Sequence, residues 1–171
     1  MAFNHHADLN PHQQYRIKKL KRELNRAETY AEWKEIALSL DQETGAQEWK
    51  YDNSSPYFDA EIISHRLNML RRYKLQNRVV DLIYILREGL SHDVANIGHP
   101  MLFTQTYVGT KKIIEDYIHE VCESLIFIAS QKCDSLSIKE KIEFFQNCQL
   151  AYGQPAMMFS GGASLGLFHT G

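Results

Sequence analysis

The sequence contains few cysteines, no long apolar run and no excess of charge of either sign. The three cysteines, Cys122, Cys133 and Cys148, are far apart in the 171 residues and form no CxxC pair. This spacing argues against a zinc site and a disulfide framework, so we expect buried or free thiols in a reducing compartment. The longest apolar stretches, at 79–86 and 125–129, are too short to cross a bilayer.

Charge and the N-terminal composition exclude further classes of protein. The net charge is −2, whereas neutralising the phosphates of a nucleic acid needs a clear cationic excess. The first residues contain no apolar stretch of the kind that forms a signal peptide. The apolar fraction of 44% is typical of a globular chain. We therefore expect an intracellular globular protein with no transmembrane segment, no nucleic-acid partner, no metal and no cofactor.

Helical periodicity extends from about residue 11 to residue 130 and returns after residue 136. Apolar residues recur at every third or fourth position, which predicts amphipathic helices. Thr29 with Glu32, and Ser137 with Glu140, form capping boxes that open two of them. The predicted helices cover 12–28, a segment from Thr29 to Gly45, a segment beginning at Asp59, 77–88, 110–131 and a last segment from Ser137 to Gly153. The helix at 77–88 is apolar on most sides and is predicted to be the most buried.

Three helices are expected to turn specific faces towards the core. The second helix would bury Tyr30, Trp33, Ile36, Ala37 and Leu40. The helix at 110–131 would bury one stripe, made of Ile113, Ile114, Tyr117, Ile118, Val121, Cys122, Leu125 and Ile128. The last helix would bury Ile138, Ile142, Phe145 and Cys148. Residues 90–109 have no clear period and are interpreted as a long ordered loop.

The character of the chain changes after Pro155. A short apolar run at 156–159 is followed by a glycine-rich segment, which predicts a strand, a tight turn and the start of a helix. Within it, residues 162–166 match the pattern GxSxG, in which Ser164 would be a nucleophile. Only His169 follows as a partner, on the same short segment, so we regard Ser164 as a decoy. The alternative is an anion cradle, in which backbone N–H groups converge at a helix N-terminus.

Several motifs along the chain resemble those of one family. The glycine-rich segment at 160–171 is similar to the oxyanion loop of patatin-like phospholipases, and its Phe-His-x-Gly ending to their triacylglycerol-lipase branch. Upstream motifs resemble the uncharacterised helical domain that precedes the patatin domain in fungal lipid-droplet lipases and bacterial relatives. These motifs are Tyr30-x-x-Trp33-Lys34-Glu35, Glu48-Trp49-Lys50, Ser55-Pro56-Tyr57, Arg87-Glu88-Gly89-Leu90, Gly98-His99-Pro100 and the run 108–118.

The resemblance implies a lipid ester hydrolase with a Ser–Asp dyad, whose serine and aspartate are both expected beyond Gly171. Gly161, Gly162 and Gly166 match the family's oxyanion loop, while Ala163 stands where many members have a third glycine. Ser164 falls on a variable position of that loop. The expected substrate of the full-length parent is an acyl glycerolipid, and the 171-residue chain alone is predicted to be inactive.

Other polar clusters have simpler interpretations. His5, His6 and His12 are expected in a solvated tail, with no acidic or thiol partner at ligand spacing. His92, Asp93 and His99 lie in the long loop, where packing and capping account for them. The first helix is basic, and we favour packing of its apolar seam with a solvated charged face over a membrane-surface helix. Its basic residues are Arg16, Lys18, Lys19, Lys21, Arg22 and Arg26.

The sequence therefore predicts a mainly α protein. Residues 1–11 would be a flexible N-terminus, 12–153 a helical leader domain, and 154–171 the first strand and oxyanion turn of an incomplete α/β patatin-like domain. The predicted function is that of an N-terminal fragment of a triacylglycerol lipase or phospholipase, located in the cytoplasm or peripherally on a lipid droplet or membrane. The alternative is a non-catalytic helical module that binds a partner or a lipid surface.

Overall fold

The computed structural model describes residues 10–89, 94–130 and 136–152, and these residues are mainly helical, with no strand among them. The elements in chain order are α1 (Pro11–Leu24), α2 (Tyr30–Glu43), α3 (Ala46–Tyr51), α4 (Ala60–Leu75), α5 (Val79–Glu88), the 3-10 turns Val94–Asn96 and Pro100–Phe103, α6 (Lys112–Ser130) and α7 (Ile138–Tyr152). The strand predicted at 156–159 and the turn after it lie outside the described residues.

Side-chain caps begin the helices where the sequence predicts them. The Thr29 hydroxyl accepts a hydrogen bond from the backbone N–H of Glu32 at 3.2 Å. Asp59 accepts from two N–H groups in the first turn of α4. The Ser137 hydroxyl accepts from Glu140 N at 3.2 Å, and Glu140 reaches back to the Ser137 N–H at 2.8 Å. Each cap satisfies donors that the first turn leaves without partners.

The core lies where α4 packs on α5 and α6. Half of α5 is buried, namely Val79, Leu82, Ile83, Ile85 and Leu86, which confirms the prediction for this helix. Burying an aliphatic side chain of this size contributes about 1.5–3 kcal/mol. Arg66 of α4 joins the layers, because its guanidinium donates to the Ile85 carbonyl at 2.6 Å and to the Tyr117 hydroxyl at 3.3 Å.

Several boundaries and faces differ from the prediction. Helix α1 ends at Leu24 rather than at residue 28, and a short helix, α3, follows Gly45 directly. Tyr30 is 72% exposed and stacks on the partly buried Trp33, so this part of α2 lies on the surface. On α6 the predicted stripe is too wide, because Ile118 and Cys122 are exposed.

The inward face of α7 is also partly wrong. Phe144 and Cys148 are buried, and Phe145 packs against the core only in part. Ile138 and Ile142, predicted to be internal, are 78% and 53% exposed. Successive residues of a helix are separated by about 100°, so exchanging Phe145 for Phe144 as the main contact turns Ile138 and Ile142 outward.

Candidate functional site

The predicted oxyanion loop lies in a part of the chain that the structure does not describe. Gly161, Gly162, Ala163 and Gly166 are all outside the described residues, as is the decoy Ser164. The arrangement of their N–H groups therefore stays a prediction. What the structure does describe is the helical domain that leads to this segment, together with its buried charges and its surface.

The loop histidine that is described has a structural role. His99 accepts a hydrogen bond from Met101 N through Nδ1 at 3.2 Å, which caps the turn Pro100–Phe103. Its ring stacks on Tyr57 with 4.7 Å between centroids. His5, His6, His92 and Asp93 lie outside the described residues, and His12 is exposed on α1. Within the described ranges, no group of three or more His, Cys, Asp or Glu side chains could hold a metal ion.

A cluster of buried charges fixes the end of the long loop to α2 and α3. We call it the clasp and define it as Asp41, Lys50 and Lys111. The Asp41 carboxylate is fully buried and accepts from Tyr107 N at 2.7 Å and from Val108 N at 3.1 Å. Lys50 Nζ lies 3.7 Å from the same carboxylate and donates to the Val108 carbonyl. The Asp41 charge is thus balanced by a cation and two amide dipoles, as a buried carboxylate requires.

Lys111 is the third member of the clasp and is fully buried. Its ammonium group donates to the carbonyl oxygens of Trp49 at 2.7 Å, Asp52 at 2.5 Å and Ser54 at 3.5 Å. The first two carbonyls lie at the C-terminal end of α3, where helix carbonyls lack partners and the helix dipole is negative. Burial lowers the pKa of Lys111, and the nearby charge of Asp52 opposes that shift.

Gly109 and Thr110 complete this corner of the fold. Gly109 has a φ of 74°, a left-handed conformation that glycine adopts without steric cost. The turn brings Thr110 N within 3.0 Å of the Glu115 carboxylate and the Thr110 hydroxyl within 2.6 Å of the Leu102 carbonyl. The sequence motif at 108–112 therefore has an architectural role in this domain, because it joins the long loop, α3 and the start of α6.

A second buried carboxylate joins α6 to α4. Lys74 Nζ lies 2.5 Å from one oxygen of Glu120, and Arg71 Nε lies 3.4 Å from the other. The Ser124 hydroxyl, one turn further along α6, is fully buried and has no hydrogen-bond partner in the described part of the chain. These contacts stabilise the packing of the two helices.

Several exposed basic side chains lie on α1. This helix carries five basic residues and one acidic residue, Glu23. Two of the basic side chains form ion pairs, Lys19 with Glu23 at 3.7 Å and Arg16 with Glu43 of α2 at 2.8 Å. The side chains of Lys18, Lys21, Arg22 and the following Arg26 are exposed and form no ion pair with the residues that the structure describes. We call these four residues the basic face.

The opposite side of α1 is its packing seam. Ile17 is buried, and Leu20 and Leu24 are partly buried where α1 packs on α2. This confirms the expected packing of the apolar seam, and it leaves the basic face exposed to solvent. None of the helices that the structure describes combines the length and apolarity of a membrane span.

A helical domain with buried ion pairs and exposed basic side chains on α1 is therefore the class of protein that the described residues define. A family model described as a domain of unknown function, DUF3336, matches residues 11–150. The chain belongs to this family. No solved structure matches it significantly.

The chain is also similar to larger proteins. It is 32% identical to triacylglycerol lipase ptl1 of Schizosaccharomyces pombe over 143 residues, which is 84% of this chain and 26% of that protein. It is 33% identical to triacylglycerol lipase SDP1L of Arabidopsis thaliana over 157 residues, 92% of this chain and 19% of that protein. A patatin-like phospholipase domain-containing protein of Yarrowia lipolytica is 32% identical over 154 residues, 90% of this chain and 18% of its own length. The chain thus spans about a quarter or less of these relatives, and the resemblance inferred from its motifs is confirmed.

Proposed function

We propose that this chain is part of a serine acylhydrolase that acts on acyl glycerolipids. The observation that carries the proposal is the similarity of most of the chain to proteins named triacylglycerol lipases. The glycine-rich segment at 160–171 supports it, because it is similar to an oxyanion loop. In this assignment a serine outside residues 1–171 attacks the ester carbonyl and forms an acyl-enzyme. An aspartate, also outside these residues, completes the dyad.

The chain's own contribution to catalysis is the oxyanion loop. The N–H groups near Gly162 and Ala163 stabilise the negative charge that develops on the carbonyl oxygen in the transition state. Gly161 and Gly166 let the backbone turn closely around that oxygen. Ala163 also has an N–H, so the donor is kept at that position. The histidine that follows Ser164, His169, lies on the same short segment, and Ser164 does not act as the nucleophile.

In this proposal the helical domain supports the oxyanion loop. The clasp holds the loop at 104–111 against α2 and α3, and α6 begins directly after Lys111. Helix α7 packs on the core through Phe144 and leads into residues 153–171. Interactions of this kind keep a site within the small tolerance that catalysis requires. The domain would also make peripheral contact with a lipid surface, on a droplet or membrane, since acyl glycerolipids are found there.

The nucleophile assignment can be tested with a fluorophosphonate probe. The natural protein, purified from its source, would be labelled and the modified serine located by mass spectrometry. We expect a single labelled serine other than Ser164, and no labelling of the 171-residue chain. Labelling of Ser164, or ester hydrolysis by the 171-residue chain that Ser164→Ala abolishes, would show that the literal GxSxG is the true nucleophile motif.

The oxyanion assignment has its own test in the active protein. Gly162→Pro removes one N–H donor and holds φ near −65°, so kcat should fall by about 10²–10³. The rate is divided by the number of serines that the probe titrates, which corrects for any loss of folded protein. Full turnover per titrated serine would mean that the loop is only a tight connection between a strand and a helix.

A further inference from the structure

The basic face of α1 is not explained by the packing of the fold. Ile17, Leu20 and Leu24 are buried or partly buried where α1 packs on α2, while Lys18, Lys21, Arg22 and Arg26 are exposed. The whole chain has a net charge of −2, yet these four basic side chains lie close together in the sequence and form no ion pair with the described residues. Such a face needs a reason beyond solubility.

The interaction with the helix dipole accounts for only part of this charge. Lys21 and Arg22 lie in the last turn of α1, where cations interact favourably with the helix dipole. Lys18 lies a turn earlier and Arg26 follows the helix, so this explanation does not extend to them. Lys18 and Arg22 are also four positions apart on the same helix, where like charges repel each other. An external anionic surface would relieve this repulsion.

The length of α1 allows a broad contact. Among the described elements, α1 packs closely against α2. A helix of this length extends for about 21 Å, enough to lie along a flat surface. Tyr15, 69% exposed, is the one large apolar side chain of α1 that is exposed. The contact would therefore occur at the level of lipid headgroups and depend on their charge, with little insertion into the acyl chains.

We propose that the basic face of α1 docks on the anionic phospholipid surface of a membrane or lipid droplet. The inference rests on the proposed lipid-surface contact and adds to it the helix that makes the contact and the headgroup charge that is recognised. Lipid is favoured over an acidic protein partner because the relatives named triacylglycerol lipases would meet their substrate at a lipid surface.

Vesicle sedimentation of the 171-residue chain tests the proposal. Vesicles of phosphatidylcholine with about 30% phosphatidylserine are compared with vesicles of pure phosphatidylcholine at low salt. We expect binding to the anionic vesicles, weak binding to the neutral ones, and loss of binding near 1 M salt, where the Debye length falls to about 3 Å. Equal binding to both kinds of vesicle, or binding to neither, would overturn the proposal.

A matched pair of triple variants locates the contact. The test variant is Lys18→Gln, Arg22→Gln, Arg26→Gln, and the control is Lys34→Gln, Arg72→Gln, Lys139→Gln. All six side chains are exposed, and the control residues are on α2, α4 and α7. Each basic residue near an anionic surface contributes about 1 kcal/mol, so the test variant should bind on the order of 100-fold more weakly. The control should bind nearly as well as the wild type.

Three measurements distinguish the ways in which the idea could fail. Both variants should melt like the wild type, since they change exposed side chains only. Equal loss of binding in both would mean that net charge, rather than α1, is responsible. If poly-glutamate bound through the basic face and anionic vesicles did not, the partner would be an acidic protein surface. Labelling of a catalytic serine in the natural protein is independent of these results, so the proposed hydrolase function is judged separately.

Discussion

The ammonium nitrogen of Lys111 lies 4.1 Å from the centre of the Trp49 ring and 2.7 Å from the carbonyl oxygen of the same residue. One tryptophan thus stabilises the buried charge in two ways, through the negative face of its ring and through a backbone dipole at the end of α3. Lys111 in turn donates to carbonyl oxygens at the end of α3, where the helix itself offers no donor. The two residues depend on each other, although 62 positions separate them in the chain.

Lys111→Met should destabilise the domain. Methionine fills much of the volume but donates no hydrogen bond, so the carbonyls of Trp49 and Asp52 lose their partner. Each buried group left unsatisfied costs about 1–3 kcal/mol, and we expect a total loss of about 2–4 kcal/mol in the free energy of unfolding. Urea denaturation followed by circular dichroism measures this free energy.

Lys112→Met is the control, because the Lys112 side chain is 44% exposed and pairs with Asp116 on the surface. That change should cost less than about 1 kcal/mol. Similar losses in the two variants would contradict the special role of Lys111.

A second prediction concerns two glycines that have the same backbone φ angle. Gly45 and Gly109 both have a φ of 74°, and alanine at either position should cost about 1–2 kcal/mol from strain. A methyl group at Gly45 would meet no other atom, whereas one at Gly109 would collide with the Glu115 carboxylate that holds Thr110 N. Gly109→Ala should therefore be clearly more destabilising than Gly45→Ala in thermal unfolding. Equal shifts in Tm would mean that Glu115 moves aside freely.

The two described cysteines should differ in reactivity. Cys148 is buried and Cys122 is exposed, and burial raises the pKa of the Cys148 thiol. At pH 8 iodoacetamide should modify Cys122 several-fold faster than Cys148, because the thiolate is the reactive form. The measurement uses a variant that also carries Cys133→Ser, and peptide mapping. Because the Cys148 thiol ionises at a lower pH in the unfolded chain than in the folded one, its ionisation lowers the stability of the fold as pH rises above about 9. Faster modification of Cys148 would contradict its burial against the core.

The cap of α7 predicts a dependence on pH at the acid end. Hydrogen bonds from the hydroxyl and the backbone N–H of Ser137 lower the pKa of Glu140. A carboxyl whose folded pKa is lowered contributes stability above its unfolded value, about 4.5, and that stability is lost as pH falls through the folded pKa. Ser137→Ala should cost about 1 kcal/mol at pH 7 and less at pH 3. A cost independent of pH would mean that Glu140 takes no part in the cap.

Local signals in the sequence predicted the beginnings of helices well. Thr29, Asp59 and Ser137 act as caps in the structure, because the bonds they make are with residues two or three positions away. The helix α3 was not predicted, since Gly45 suggests a stop and only six residues follow in the helix. On α7 the apolar arc includes both Phe144 and Phe145, so periodicity alone could not determine which part of the arc faces the core.

The clasp could not have been predicted from periodicity or spacing. Lys111 is adjacent to another lysine, and nothing in its neighbourhood distinguishes the buried residue from the exposed one. Asp41 lies in a helix whose apolar face ends at Leu40, and its partners are the N–H groups of Tyr107 and Val108. Burial of these charges is decided by residues about sixty positions away. The oxyanion loop is the opposite case, since Gly161, Gly162, Ala163 and Gly166 were identified from motif similarity and stay a prediction.

The span of the clasp has a consequence for the order of folding. Its hydrogen bonds join residues 57 to 67 positions apart, whereas α1 and α2 are neighbours in the chain and pack on each other. Bringing distant residues together costs loop-closure entropy before any contact compensates for it, so we expect the clasp to form after the transition state. Lys111→Met should then increase the unfolding rate much more than it slows refolding, as stopped-flow kinetics can measure. The buried charges would then pair late in folding, after neighbouring helices have packed, and their main effect would be to slow unfolding.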